Sequence, residues 1–336
     1  MFYWAYSYLY AMLCIHSKNR DPYYNLAAEE YLLRYSNEDV FMLWQSTPAV
    51  VVGKHQNTLA EINYRFVRNN GVQIARRLTG GGTVYHDPGN INFSFIRQGE
   101  PGKLVDFGRF IEPVISFLKT FGIQAHRGLK NEILVKGKKI SGNAEHVYKN
   151  RVLHHGTLLY KADLNSLHES IRPGGGKYTG KAVQSNRSSV LNLVECINPV
   201  ISIETFQEAL LIFIMKHYQG RLFEMEKDQN MAILQLAGEK YNTWEWIYGW
   251  SPDYEFENVW KTNSPEIAIK LGAHRGIITG CTLKSLIIPS ELAAMVNKGL
   301  TGTPHEESNI LTTLEALGFK LILDKRELED LVLAFF

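Results

Sequence analysis

The spacing of apolar positions changes from segment to segment along this chain, and the changes mark its elements. Residues 12–15 are a short apolar run that opens a strand near Met12. Asp21-Pro22 is a helix start, with Asp as cap and Pro in the first turn, and the stretch 24–35 places Leu26, Ala27, Tyr31 and Leu33 on one side. Apolar runs at 40–44 and 49–52, separated by Gln45-Ser46-Thr47-Pro48, are expected to be strands paired with one another. A short helix over 62–69 ends at Gly71, and a strand at 72–75 delivers Arg76 and Arg77 into three glycines. Strands at 83–85 and 91–96, a helix over 105–120 and strands at 133–135, 139–141 and 152–160 continue a mixed pattern. Helical periods cover 204–218 and 231–246, and the turn-rich stretch 248–252 marks a boundary. Beyond it, strands at 268–271 and 276–279 and helices at 290–297, 309–317 and 325–336 form a small α+β unit.

Composition narrows the picture. The 336 residues support two domains, and 45% hydrophobic content excludes disordered and collagen-like classes. With 36 Lys+Arg against 34 Asp+Glu, the net charge of +2 gives no reason to expect nucleic acid or an anionic membrane as partner, so any basic function is local. Cys14, Cys196 and Cys281 are far apart with no zinc-like spacing, and read as reduced thiols of a cytoplasmic chain. Residues 1–15 are apolar and aromatic without the basic start of a signal peptide, too short and too rich in Tyr for a membrane span; residues 1–11 are taken as an overextended leader.

Two segments carry chemistry. In Arg76-Arg77-Leu78-Thr79-Gly80-Gly81-Gly82-Thr83-Val84-Tyr85-His86-Asp87, the glycines leave backbone amides open to an anion and the paired arginines add positive charge, which together suit a phosphate. No Gly-Lys-Ser/Thr follows and Tyr85 stands where a dinucleotide fingerprint needs glycine, so the kinase and dehydrogenase readings weaken. In the second segment, 131–144, a strand at 139–141 turns Ile140 to the core and fixes Lys139 on the other face, while Lys136 and Lys138 belong to the hairpin tip around Gly137. A fixed ammonium suits the approach of a carboxylate to a phosphate. His154 and His155 fall on opposite faces of a strand, neither with a visible carboxylate partner in the sequence.

These blocks, with His155-Gly156-Thr157-Leu158-Leu159, resemble the signature segments of the lipoate-protein ligase A family in order and spacing. Residues 23–30, 52–57 and 185–193 resemble lesser family segments, and 242–246 falls where the family's catalytic domain gives way to its accessory domain. The resemblance implies an α+β fold: a biotin/lipoate ligase-like catalytic domain of mixed sheets flanked by helices over 12–248, and an accessory domain over 249–336. It also implies an enzyme that activates lipoate with ATP to lipoyl-AMP, with Mg²⁺ on the triphosphate, and passes the lipoyl group to a lysine. The acceptors implied are apo lipoyl domains of 2-oxoacid dehydrogenase E2 subunits and glycine-cleavage H protein. Carried over, Lys139 is the catalytic lysine touching both lipoate and adenylate. Arg77, Gly82, Thr83, Val84 and Tyr85 line the ATP site, and Arg77, His86 and His155 line the lipoate site. An apolar tunnel is expected from the Val50-Val51-Val52 and Phe93 strands. The Mg²⁺ ligands are not assigned.

The chain departs from the family pattern where Glu132 replaces the usual Asp, in the glycine-rich loop 172–181, expected to be a mobile cover with Lys181 as a minor contact, and in residues 1–11. Competing readings are an ATP-independent lipoyl or octanoyl transferase, a biotin ligase and a non-catalytic lipoate-binding protein. No Cys lies between Cys14 and Cys196 to hold an acyl group, the biotin loop differs from 76–82, and Lys139 is present.

Overall fold

The computed structural model describes residues 12–171, 174–185, 188–261 and 266–336. Residues 1–11, expected to be an overextended leader, Arg172-Pro173 of the glycine-rich loop and Asn186-Arg187 lie outside the described residues.

Strand β1 (Leu13–His16) runs into helix α1 (Pro22–Tyr35), whose Asp21 cap accepts the Tyr23 amide at 2.8 Å. Strand β2 (Val40–Trp44) returns parallel to β1. Strand β3 (Ala49–Val52) does not pair with β2 as expected. Both strands are buried throughout, and strands of one central sheet and of a second, smaller sheet take up their edges, leaving 45–48 as a passage between layers rather than a hairpin turn. Two short helices follow, α2 (Thr58–Glu61) and α3 (Tyr64–Asn69), with Asn57 and Asn63 as caps. Then β4 (Gln73–Arg76) pairs parallel and β5 (Val84–His86) antiparallel with β3, so the glycine loop spans the sheet from one edge to the other.

Strand β6 (Asn90–Gln98) lies against β2, and helix α4 (Phe107–Thr120) covers the sheet. Strands β7 (Ala125–Arg127), β8 (Ile133–Val135) and β9 (Lys138–Ser141) form a small sheet; the β8–β9 turn puts Lys136 and Gly137 at φ 51° and 73°. Strands β10 (Asn143–Tyr148) and β11 (Arg151–Leu159) complete the central sheet on one side, whose order is β10-β11-β6-β2-β1. Past α5 (Leu164–Ser170) comes β12 (Lys177–Gly180), then α6 (Ile203–Tyr218), β13 (Arg221–Leu222) on the far edge beside β1, and α7 (Lys227–Leu236). The helix expected over 231–246 gives way to π-helical turns at Ala237–Tyr241 and Glu245–Gly249. In them Tyr241 donates to Glu30 at 2.7 Å, and the Trp246 indole N–H donates to the Arg76 carbonyl at 2.8 Å.

The last sheet has the order β12-β14-β15-β16, from β14 (Tyr254–Trp260), β15 (Ile267–His274) and β16 (Ile277–Lys284). Helices α8 (Ser290–Leu300), α9 (Glu307–Ala316) and α10 (Lys325–Leu333) pack on it. Its apolar face continues the buried face of the β3 sheet, in one cluster joining Val50, Val52, Leu59 and Tyr85 to Phe256, Ile269, Leu331 and Phe335. Among the described residues no helix is long and apolar enough to cross a membrane.

Candidate active site

Strand alternation sorts the first signature block. Arg76 faces the interior, fully buried, and its guanidinium is consumed by carbonyls of Gly53, Lys54, Gln56, Trp246 and Ile247 at 2.8–3.1 Å and the hydroxyls of Thr58 and Ser251. It is a bracket between the loop after β3 and the segment before β14, not a charge at the site as expected. Burial, then the charge of Arg77, pushes its pKa down to about 9.

Arg77, one position on, faces the opposite side. It donates to Val51 at 2.9 Å, to Gly80 and Gly82 carbonyls at 2.6 and 2.7 Å, and to Thr79 Oγ1 at 2.9 Å. Burial lowers its pKa to about 10, which leaves it charged at neutral pH. The cation therefore draws the loop carbonyls inward. Among the described residues the amides of Gly80, Gly81 and Gly82 donate to no other protein group, and such a row of open amides suits an anion. Gly81 holds φ +87°, and a Cβ on Gly53 would fall 2.1 Å from the Gly81 oxygen, so both positions require glycine for the loop to close.

Two cavities meet beside this loop. The first, about 390 Å³, is walled by Leu26, Trp44, Val51, Arg77, His86, Asn92 and His155; the second, about 750 Å³, by Tyr85, Ser141, Leu159, Ile171, Tyr178 and Val190. Lys139, Thr83, Val84 and Ser185 line both and mark their junction. Of the expected tunnel walls only Val51 lines the first cavity. Val50, Val52 and Phe93 point to the other faces of their strands, into core. Gly82 also lines the first cavity, so Arg77, Gly82, Thr83, Val84, Tyr85, His86, Lys139 and His155 each fall in one cavity or the other, whereas Arg76 and exposed Lys181 line neither.

Lys139 is fixed by its backbone, which donates to Ser189 at 2.9 Å and accepts from Leu191 at 3.0 Å, while Ile140 beside it is fully buried. Among the described residues its ammonium forms no ion pair. Burial lowers its pKa, Glu132 opposes that, and Arg77 and Lys130 add to the lowering. An ammonium so placed gains from an incoming anion.

Several supporting residues went unassigned in the sequence, although they lie in the lesser family segments. Gln56 Oε1 accepts the Gly53 amide at 2.8 Å and the Thr83 hydroxyl at 2.9 Å; Ser185 Oγ accepts the Thr83 amide at 2.8 Å and donates to Glu61. The Thr83 amide, expected at the nucleotide, is thus held by Ser185. The histidines have carboxylate partners after all, from elements that no local pattern could associate with them. His155 Nδ1 meets Glu29 at 2.9 Å and its Nε2 meets Thr79 Oγ1 at 2.8 Å, so a line of hydrogen bonds runs Glu29–His155–Thr79–Arg77 along the cavity wall. His154, on the opposite face, packs in the core with Glu145 at 2.9 Å from Nδ1 and Asn143 at 3.3 Å from Nε2. Burial drives both members of that pair toward neutrality, raising Glu145 to about 7 and pushing His154 well below its ordinary value.

The cysteines stay reduced and none lines either cavity; burial raises Cys14 and Cys281 to about 12. Among the described residues no group of three or more His, Cys, Asp or Glu could cage a metal ion.

Mixed sheets thus hold a glycine loop with open amides and a buried lysine where two cavities meet, an arrangement suited to bringing two anions together. Residues 21–214 match the lipoyl protein ligase A/B catalytic domain, and residues 251–335 match the bacterial lipoate protein ligase C-terminus. The chain belongs to the lipoate-protein ligase family, whose members are ligases. It is 34% identical over 316 residues to the lipoate-protein ligase LplJ of Bacillus subtilis, covering 92% of this chain and 95% of that one. Two Thermoplasma acidophilum lipoate protein ligase structures, one with bound lipoic acid and one reported with its E2 lipoyl domain, align at 25% identity and TM-score 0.60. They cover 70% and 71% of this chain and 98% and 96% of theirs. A lipoate-protein ligase A solved with ATP aligns at 26% identity and TM-score 0.59, covering 71% of this chain and 98% of its own.

Proposed function

We propose that the protein is an ATP-dependent lipoate-protein ligase that forms lipoyl-AMP, releases pyrophosphate, and then lipoylates a lysine on apo lipoyl domains of 2-oxoacid dehydrogenase E2 subunits or on glycine-cleavage H protein. The observation that carries this reading is Lys139 at the junction of the two cavities. The first cavity takes the acyl chain between Leu26, Trp44 and Val51, and the second takes the nucleotide against Tyr85, Leu159 and Val190. The lipoate carboxylate and the α-phosphate then meet at the ammonium, which offsets their mutual repulsion and the charge that builds in the transition state. Arg77 acts through the loop it holds: the open amides of Gly81 and Gly82 take phosphate oxygens beside Lys139, where Thr83 also lines the junction with the nucleotide cavity. His86 and His155 belong to the acyl side. No nucleophilic side chain is required, because the mixed anhydride is itself the activated acyl group and positioning supplies the rest. The absence of a thiol from the cavity walls favours this over acyl transfer through cysteine.

The described residues do not fit a resident Mg²⁺ cage. Mg²⁺ would arrive on the triphosphate, as it commonly does with one or two carboxylates and retained waters. The domain division near Gly249, with 12–248 catalytic and 249–336 accessory, is supported by the separate family matches to 21–214 and 251–335. Limited proteolysis that cuts elsewhere first would count against it.

The test is ATP–pyrophosphate exchange with lipoate, octanoate or biotin, followed by the mass shift of an apo lipoyl domain. Lipoate-dependent exchange is expected in the wild type, and Lys139→Ala should lower it by roughly 10²–10³-fold. Wild-type lipoylation of the acceptor from an acyl carrier without exchange would replace this reading with transfer.

A further inference from the structure

The small sheet of β7, β8 and β9 carries positive charge that neither cavity uses. Residues 125–139 contain five Lys and Arg with Glu132 as their one acidic residue, a local surplus of four in a chain whose total is +2. Arg127, Lys130, Lys136 and Lys138 are exposed, and among the described residues none of them forms an ion pair. Arg127 donates to the Asn131 side-chain oxygen at 2.9 Å, which leaves its charge in place. Lys130 lines the first cavity, whereas Arg127, Lys136 and Lys138 line neither cavity, so ATP and the acyl acid do not account for them. The patch is nevertheless next to the site. His126 pairs with Leu134 and Leu134 with Lys139, a single row across the sheet from an exposed strand to the buried lysine. Lys136 is three residues from Lys139, so the hairpin tip lies within roughly 10 Å of it along the strand. On the β7–β8 loop, Leu129 stands fully exposed between Arg127 and Lys130.

The lysine to be acylated has an unperturbed pKa of about 10 and so arrives as an ammonium at neutral pH. Arg77, Lys130 and Lys139 in the first cavity, and the cations of the small sheet beside it, repel that ammonium. A protein that surrounds its lysine with carboxylates is attracted instead, and such complementarity speeds encounter and turns away partners of the wrong sign. We propose that Arg127, Lys136 and Lys138, with Leu129 as an apolar contact, dock the acceptor protein through carboxylates that flank its target lysine. The surface thus selects lysines by the charge around them and disfavours those set in neutral or basic surroundings. Nucleic acid or an anionic membrane would feel the same charge, but neither brings a lysine to the cavity. The inference rests on the ligase reading and assigns that reaction a docking surface.

The experiment follows lipoate-dependent pyrophosphate exchange and lipoylation of an apo E2 lipoyl domain by the full chain, comparing the wild type with the double variant Lys136→Glu, Lys138→Glu. Exchange should stay within about twofold while the KM for the acceptor rises roughly tenfold, because charges at the edge of an interface act on encounter. For the wild type, raising the ionic strength from about 0.05 to 0.3 M should raise the acceptor KM several-fold as the Debye length shortens, and the rise should be shallower in the variant. An acceptor whose carboxylates beside the target lysine are replaced by arginine should fail with the wild type and be partly rescued by the double variant, which a merely structural defect would not produce. An acceptor KM that the reversal leaves unchanged overturns the inference, as does a fall in exchange equal to the fall in lipoylation. Weakened binding to phosphatidylcholine–phosphatidylserine vesicles with the acceptor KM unmoved also overturns it, in favour of a membrane surface. Should the variant fail to fold, the wild-type salt series and the charge-swapped acceptor decide. Lipoylation from an acyl carrier without exchange, with the same dependence on Lys136 and Lys138, would sink the ligase reading and leave this one standing.

Discussion

Adjacent arginines taught the most at the residue scale. Arg76 and Arg77 look interchangeable in the sequence, yet a strand sends neighbours to opposite faces, so only one of them could reach the cavity. The glycines, Lys139, His86 and His155 were legible because their types and spacing carry the family resemblance. Glu29 was not, because its partner His155 is brought to it only by the packing of α1 on the central sheet. The hydrogen bond from His155 Nδ1 to Glu29 sets the tautomer that lets Nε2 accept from Thr79, which in turn supports Arg77. Glu29→Gln removes a charge-assisted bond from that line, and adenylation kcat/KM should fall roughly tenfold with unchanged circular dichroism. Undiminished activity would mean that the line is only packing.

Elements were easier to find than their partners. The runs at 40–44 and 49–52 are both strands with the expected ends, but what each pairs with depends on β1, β6, β4 and β5, none of which is encoded in the run itself. No strand was expected over 254–260, although β14 alternates buried and exposed positions with Glu255 and Glu257 on its exposed face. Strand β12 was legible only as glycine-rich sequence; it becomes a strand because β14 offers it an edge. Gly176, just before it, sits so close to Phe256 that a Cβ would fall 2.1 Å from the ring. Gly176→Val should therefore pry β12 from the sheet, at a cost of roughly 1–3 kcal/mol in urea unfolding. It should also raise the KM for ATP, because Ser185 follows on the same segment. A variant with wild-type stability and KM would detach β12 from the site.

Acid sensitivity belongs to the whole molecule. His86, His154 and His305 are buried and neutral in different cores; burial lowers His86 to about 3, His305 to about 4 and His154 well below the ordinary 6.5. The unfolded chain takes up their protons first, so the stability they contribute is complete above about pH 6.5 and drains as pH falls toward the folded values. Glu145 acts oppositely: raised from 4.5 to about 7, its contribution is full in acid and lost as pH rises through that value. These three histidines against Glu145, at about 1.4 kcal/mol per pKa unit, leave a net loss of roughly 2 kcal/mol between about pH 7.5 and 5.5, to which the lowered pKa values of half-buried His16 and His146 add in the same direction. Urea unfolding at the two pH values checks this. His305→Gln, which removes the ring held between Tyr254 and the Phe335 carbonyl, should shrink the difference by roughly 1 kcal/mol. A difference of the opposite sign would refute the assignment.

Strand β12 also constrains the order of synthesis. Its partner β14 is translated only after α6 and α7 have been made, so on the ribosome the segment carrying Ser185 emerges with no sheet to join. The second cavity, lined by Tyr178 and Ser185, cannot then be assembled until the chain has been extended through Trp260. Ribosome-arrested chains ending before that point should be cut by protease at Lys177 or Lys181, and those extended well beyond it should be protected at Lys177.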